Sequence, residues 1–307
     1  MLTLLLLAMT LQLAPEIAAN SDPVTRTMTF AGHLRTWSEF IPPKCASEDS
    51  ACMTVVLLHG GRPRIGGAPA LTPTPGTFAR QSGMLKAARE ESFVLISPEA
   101  VDGNWNDGRP GVATGIDDVG FIRAMLADVG KRANVAPART FATGVSNGGL
   151  MSYRLACEAS DAFRAIAPVV ANLGRVLAGS CQPAQAVDAL HIMGGADPLM
   201  PLKGGGIAGS LGADRGGVLS AVETFDFWAS KLHATQTDAQ TDGDVSVRTT
   251  TSPAGRIVQY ILLAYGHGWP MPYETSEPRL KGVRGANPSK FDSTAHIVAF
   301  FKEAAPR

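Results

Sequence analysis

Short apolar runs alternate along this chain with longer stretches of helical periodicity. The run Thr54-Val55-Val56-Leu57-Leu58-His59 predicts a strand buried on both faces, and so do Phe93–Ser97, Ala165–Val170, Leu190–Met193 and Ile257–Leu263. Thr140-Phe141-Ala142-Thr143 is a shorter strand of the same kind. Arg35–Ile41 alternates as an edge strand before Pro42-Pro43, and Val245–Thr250 reads as a further strand. Between these lie apolar positions at helical spacing, in Phe78–Glu90, Asp118–Arg132, Val218–Leu232 and Ser293–Lys302. Strands alternating with helices predict an α/β fold, a mostly parallel central sheet with helices on both faces.

The transition from the Thr140–Thr143 strand to the following helix carries the chemistry. It reads Gly144-Val145-Ser146-Asn147-Gly148, the pattern G-x-S-x-G, and leads into the helical Leu150–Ala156. Strand, serine, helix is the setting of a nucleophile elbow, where the chain turns so sharply that bulky neighbours would clash. Taken alone in a chain with 33 glycines, the pentapeptide could equally be a Gly-rich turn with an ordinary serine. An acid and a base decide the matter. Leu190–Gly194 runs into a turn ending at Asp197, and Ile257–Leu263 is followed by Tyr265-Gly266-His267-Gly268-Trp269-Pro270. Ser146, Asp197 and His267 each fall just beyond the carboxyl end of a predicted strand, where parallel sheets place ligand sites.

A serine hydroxyl needs a base to attack an ester, so His267 is the expected proton carrier and Asp197 its orienting partner. The oxyanion needs two backbone N–H groups. Asn147 supplies one, and Gly61, with Gly60 as the alternative, supplies the other from the turn after Thr54–His59. His191, inside an apolar strand, reads as a core histidine, and His33, His233 and His296 take no role. Asp117 and Asp118 read as a helix N-cap and a first-turn charge.

Composition bounds these readings. The 307 residues, with 45% hydrophobic and 18% charged content, suit one globular domain over 20–307, and no linker divides them. Lys+Arg and Asp+Glu are both 27, and that balance argues against a nucleic-acid partner or a polybasic membrane surface. Leu2–Leu13 is almost wholly apolar and Ile17-Ala18-Ala19 offers small residues, so residues 1–19 read as a signal peptide. The mature chain is then expected to be secreted or periplasmic, with no membrane association; a retained anchor is the alternative. Four cysteines fit an exported protein and allow three pairings. A local Cys45–Cys52 bridge would close a hairpin tip, and a Cys157–Cys181 bridge would tie the segment after Ser146 to the one before Asp197. Neither pair has a histidine at ligand spacing, which argues against a metal site.

The chain resembles the polyhydroxybutyrate depolymerase and feruloyl-esterase-like branch of the α/β-hydrolases. The resemblance rests on Leu58-His59-Gly60-Gly61, Asp118–Ile122, Thr143–Ser152 with its continuation to Pro168, Asp197-Pro198 and Gly266–Pro270. It covers nearly all of the chain beyond the leader and shares the order serine, acid, histidine. It implies an α/β-hydrolase fold and an exported serine esterase acting on short-chain polyester oligomers or on cell-wall acyl esters. It also implies Ser146, Asp197 and His267 as the triad, a Cys157–Cys181 bridge, and no metal or organic cofactor. The partner is then a small ester or oligoester. Trp105 and Trp269 stand near the site as pocket walls or, equally, as packed aromatics. A peptidase on the same fold and a non-catalytic binding protein are the alternative functions.

Overall fold

A computed structural model describes residues 22–46, 51–62, 64–65, 68–69, 76–207, 216–273 and 282–304. The expected signal peptide, the tip between Cys45 and Cys52, and parts of loops 62–76, 203–217 and 271–288 lie outside the described residues.

Ten strands form one sheet. In chain order they are β1 (Val24–Phe30), β2 (His33–Phe40), β3 (Cys52–Leu58), β4 (Val94–Pro98), β5 (Val135–Val145), β6 (Ala165–Val169), β7 (Asp188–Gly194), β8 (Thr237–Asp242), β9 (Val245–Ser252) and β10 (Gly255–Leu262). Across the sheet the order is β1-β2-β4-β3-β5-β6-β7-β10-β9-β8. The central strands from β4 to β10 run parallel, and an antiparallel hairpin flanks each side. The expected mostly parallel α/β sheet is what forms.

The uniformly apolar central strands follow from burial on both sides. In β3, Val56 and Leu58 face one core and Val55 and Leu57 the other; in β4, Val94 and Ile96 oppose Leu95 in the same way. Helices α1 (Thr77–Gln81), α2 (Met84–Glu91), α3 (Asp118–Val129), α4 (Asn147–Glu158), α5 (Arg175–Ser180), α6 (Ala221–Lys231) and α7 (Ser293–Glu303) complete the fold. Phe121 and Met125 of α3, Leu150 and Tyr153 of α4, and Phe225 and Trp228 of α6 fill the first core. Leu85 of α2 and Phe301 of α7 fill the second, where Phe301 stacks on Phe141 of β5 at 4.6 Å.

Two expectations need correction. Arg35–Ile41 is not an edge: β2 is covered by β1, which has a polar face and carries little apolar signal. The helix expected over Phe78–Glu90 is two helices, broken at Ser82-Gly83 because Gly83 adopts φ 76°. Asp117 caps α3, accepting the Gly120 amide at 2.8 Å, and Asp118 lies in the first turn, both as expected. It is buried and pairs with Arg35 at 2.6 Å, while that guanidinium lies 3.7 Å over the Phe121 ring. Charges this deep are tolerated only when paired and hydrogen-bonded.

Both disulfides form, Cys45–Cys52 and Cys157–Cys181. The second spans 24 residues and joins the end of α4 to the segment entering β7. Replacing both of its cysteines by serine is expected to cost about 3 kcal/mol through the freedom returned to the unfolded chain. Urea unfolding of that variant beside the parent measures it. A loss under about 1 kcal/mol would mean that packing already supplies the constraint.

Candidate active site

The sharp turn at Ser146 is built from backbone. Ser146 sits between β5 and α4 at φ 55° and ψ −118°, a conformation that ordinary residues avoid, and its amide donates to the Val169 carbonyl at 2.9 Å. The flanking glycines make the turn possible. A Cβ on Gly144 would lie 2.6 Å from the Leu58 oxygen and from the Gly148 backbone, and one on Gly148 would collide with the Leu58 and His59 carbonyls. The first turn of α4 therefore presses directly on the end of β3. That helix start leaves its leading N–H groups without intrahelical partners, a ready site for negative charge.

Asp197 and His267 meet. His267 Nδ1 donates to Asp197 Oδ2 at 2.7 Å, and Asp197 Oδ1 accepts the Leu199 and Met200 amides at 2.8 Å each. A carboxylate can only accept, so Nδ1 carries the proton of that bond and Nε2 is the ring nitrogen turned away from Asp197. The two loops that carry these residues are joined through backbone. Gly195 donates to Leu262 at 2.8 Å and Ala196 to Tyr265 at 2.9 Å. His267 donates from its own amide to Val283 at 2.6 Å. Ser146, Asp197 and His267 follow β5, β7 and β10, so all three lie along the carboxyl edge of the parallel strands.

The Gly60-Gly61 turn abuts this serine. A Cβ on Gly60 would stand 3.7 Å from Ser146 Cβ, and one on Gly61 would stand 3.3 Å from Asn147 Cβ and 2.8 Å from Asn104 Oδ1. The absence of a side chain at Gly61 thus makes room for Asn104 and Asn147. His59 holds the turn from beneath: its Nε2 accepts the Ala100 amide at 3.1 Å, so Nδ1 donates to the Gly60 carbonyl at 2.7 Å. In a trans peptide the N–H opposes the C=O, so fixing the Gly60 oxygen also fixes the direction of the Gly61 N–H.

The tryptophans belong to the walls behind the site. Trp105 is fully buried, packs on His59 at 5.1 Å and donates from Nε1 to the His59 carbonyl at 3.0 Å. Trp269 is 5% exposed, meets Phe78 edge-on at 5.4 Å and donates to Thr294 Oγ1 at 3.0 Å. Both are packed aromatics whose polar groups are satisfied. His191 is likewise a core residue, held between the Ala171 carbonyl at 2.7 Å and the Gln259 amide at 2.8 Å. Among the described residues no group of three His, Cys, Asp or Glu side chains is gathered to hold a metal, and no helix is long and apolar enough to cross a membrane.

The chain is similar to several known proteins. No family model matches the chain. It is 30% identical over 192 residues to NocK, a candidate esterase of Nocardia uniformis, covering 61% of this chain and 52% of that protein. It is 35% identical over 121 residues to feruloyl esterase C of Emericella nidulans, covering 39% and 42%. With feruloyl esterase B of Piromyces equi the identity is 31%, over 39% of this chain and 23% of that protein. The chain thus spans about half the length, or less, of the curated relatives it matches. Two solved structures align over most of its length. One is a dienelactone hydrolase-like promiscuous phosphotriesterase from metagenomic libraries, with TM-score 0.52 and 12% identity over 92% of this chain and 99% of that one. The other is an acetyl xylan esterase from Aspergillus awamori, with TM-score 0.50 and 14% identity over 80% and 94%.

The chain has the α/β-hydrolase fold and is similar in sequence to feruloyl esterases.

Within that fold, the sequence reading named only Trp105 from the segment 104–109. It reads Asn104-Trp105-Asn106-Asp107-Gly108-Arg109, with Trp105, Asp107 and Arg109 buried beside the start of α4. The one signal available was a tryptophan set among polar residues in a loop.

Two buried imidazoles couple stability to pH. Burial, reinforced by the Arg62 charge, pushes His59 down to about 3 against the Gly60 hydrogen bond that raises it. Burial pushes His191 down to about 4 against its bond to Ala171. Both are neutral in the folded state, while in the unfolded chain they take up protons below about 6.5. Stability is therefore complete above pH 6.5 and falls as the pH drops toward 4 and then 3. Each should contribute about 1 kcal/mol per pH unit across its window. Urea midpoints at pH 7, 6 and 5 should fall less steeply for His191→Gln than for the parent. Equal slopes would mean that the folded protein protonates this ring.

Proposed function

We propose that the protein is a serine carboxylic-ester hydrolase working through an acyl-enzyme. The observation that carries this reading is the Asp197–His267 hydrogen bond at 2.7 Å on the same sheet edge as a serine held at positive φ. Ser146 Oγ attacks the ester carbonyl while His267 Nε2 takes its proton, and Asp197 stabilises the imidazolium. The carbonyl oxygen becomes an oxyanion between the amides of Asn147 and Gly61. The intermediate collapses, the alcohol leaves with the proton from His267, and Ser146 remains acylated. Water, deprotonated by the same imidazole, then releases the acid and restores the serine.

The named activities of the sequence relatives favour feruloyl esters as the first substrate class; short-chain polyester oligomers are the second class, which only the sequence resemblance implies. The two disulfides suit an oxidising compartment, which favours a secreted or periplasmic protein.

Ser146→Ala should lower kcat on p-nitrophenyl acetate and methyl ferulate by about 10⁴-fold or more, with an unchanged unfolding midpoint. The parent, unlike this variant, should be labelled by a fluorophosphonate at Ser146. Turnover within tenfold of the parent, or labelling elsewhere, would overturn the assignment.

A further inference from the structure

Asn147 is the first residue of α4 and contributes one of the two proposed oxyanion amides, and its side chain is 4% exposed. Three hydrogen bonds hold its carboxamide, and both N–H groups are used. Oδ1 accepts the Trp105 amide at 2.7 Å; Nδ2 donates to the Trp105 carbonyl at 3.0 Å and to Asp107 Oδ2 at 2.7 Å. Flipping the group would set its oxygen against a carbonyl and a carboxylate, and its NH₂ against an N–H. Only one orientation satisfies all three partners.

The carboxylate in this set is itself fully buried. Arg109 answers it from two residues away, through Nη2 to Oδ2 at 2.6 Å and through Nε to both oxygens at 3.0 Å. The Arg109 amide adds a bond to Oδ1 at 3.1 Å. Such neutralisation matters at this place. An unpaired negative charge beside the start of α4 would oppose an oxyanion forming at the same helix end. The loop is also held from outside. Asn106 donates its amide to Asp118 Oδ2 at 2.7 Å, and its carbonyl accepts Arg154 Nη1 at 2.7 Å. The Asp118 carboxylate is in turn fixed by Arg35 at 2.6 Å.

We propose that Asp107 is a positioning residue for ester hydrolysis, acting through the Asn147 carboxamide to fix the direction of the Asn147 backbone N–H toward the oxyanion. Arg109 keeps that anchor electrically neutral. A bond from an amide to a carboxylate is among the stronger neutral-to-charged contacts, and here it joins the charged anchor of 104–109 to Asn147. An ion pair that merely shaped its own loop would have no need of Asn147.

The inference rests on the serine esterase reading, and its test separates the two. Steady-state kinetics on p-nitrophenyl acetate, and inhibition by a trifluoromethyl ketone that forms an oxyanion adduct, are measured for Asp107→Ala, Asp107→Asn, Asn147→Ala and the Asp107→Ala/Asn147→Ala double variant. Asp107→Ala should lower kcat about 10- to 100-fold with KM within about threefold, and weaken the ketone by a similar factor. Asp107→Asn, whose amide oxygen can still accept from Asn147, should recover most of that loss. The double variant should be no slower than its slower parent, because both changes act through one contact. Additive losses, an unchanged kcat, or an effect on KM alone would overturn the role. Should Asp107→Ala not fold, Asp107→Leu/Arg109→Met replaces it, removing the acceptor and the opposing charge together while keeping the volume. A parent that neither turns over the ester nor reacts with a fluorophosphonate would sink the esterase reading itself. A labelled, active parent with normal Asp107 variants would sink only this one.

Discussion

The site depends on one close approach, that of the first turn of α4 against the carboxyl end of β3. No side chain mediates it. Gly148 lies where any Cβ would strike the carbonyls of Leu58 and His59, and Gly144 lies where one would strike Gly148 and Leu58. Because the backbones touch, Ser146 is driven to φ 55° and the Gly60-Gly61 turn comes to rest beside Asn147. A strained serine, a helix start and a glycine turn are thus one geometric event. The energy that sustains it comes from elsewhere, chiefly from α4, which is buried along most of its length between the sheet and its neighbouring helices.

Around that contact two of the buried ion pairs hold a single loop. Arg35 with Asp118, and Arg109 with Asp107, are both nearly solvent-free pairs, and both converge on the segment 104–109. A loop cannot satisfy its own backbone as a strand does, so it needs partners that point in fixed directions. Charged side chains with full hydrogen-bond sets supply that direction, at the cost of desolvation. The neutral His59 does the same work beneath the Gly60 carbonyl, and burial keeps its proton count fixed there. Rigidity behind the amides is what oxyanion stabilisation requires, since donors that must reorganise lose most of their value.

The sequence was legible wherever a residue's role depends on its near neighbours. The G-x-S-x-G turn follows from its own strand and helix, and Asp197 and His267 were found because each follows a strand whose apolar run is unmistakable. The hairpins at the sheet margins were harder. Thr237–Asp242 is exposed along its whole length, and only pairing with Val245–Ser252 makes it a strand. The burial of Asp118 was hidden for a similar reason, because its partner Arg35 lies 83 residues away. Asp107 stands 40 residues from Asn147, and nothing in its local pattern separates it from an ordinary turn aspartate.

By itself, then, the sequence determined the order of the central strands and the main helices, the parallel core and the three residues proposed to carry the reaction. These are set by periodicity and by strand ends, which are local properties of the chain. Only the tertiary structure decided what surrounds them. It showed that Gly61 lacks a side chain to admit Asn104 and Asn147, that Trp105 and Trp269 are packed, and that Asp107 reaches the residue after the nucleophile. Those contacts join segments distant in the chain, and burial and hydrogen-bond direction fix them only once the sheet has brought the loops to one edge.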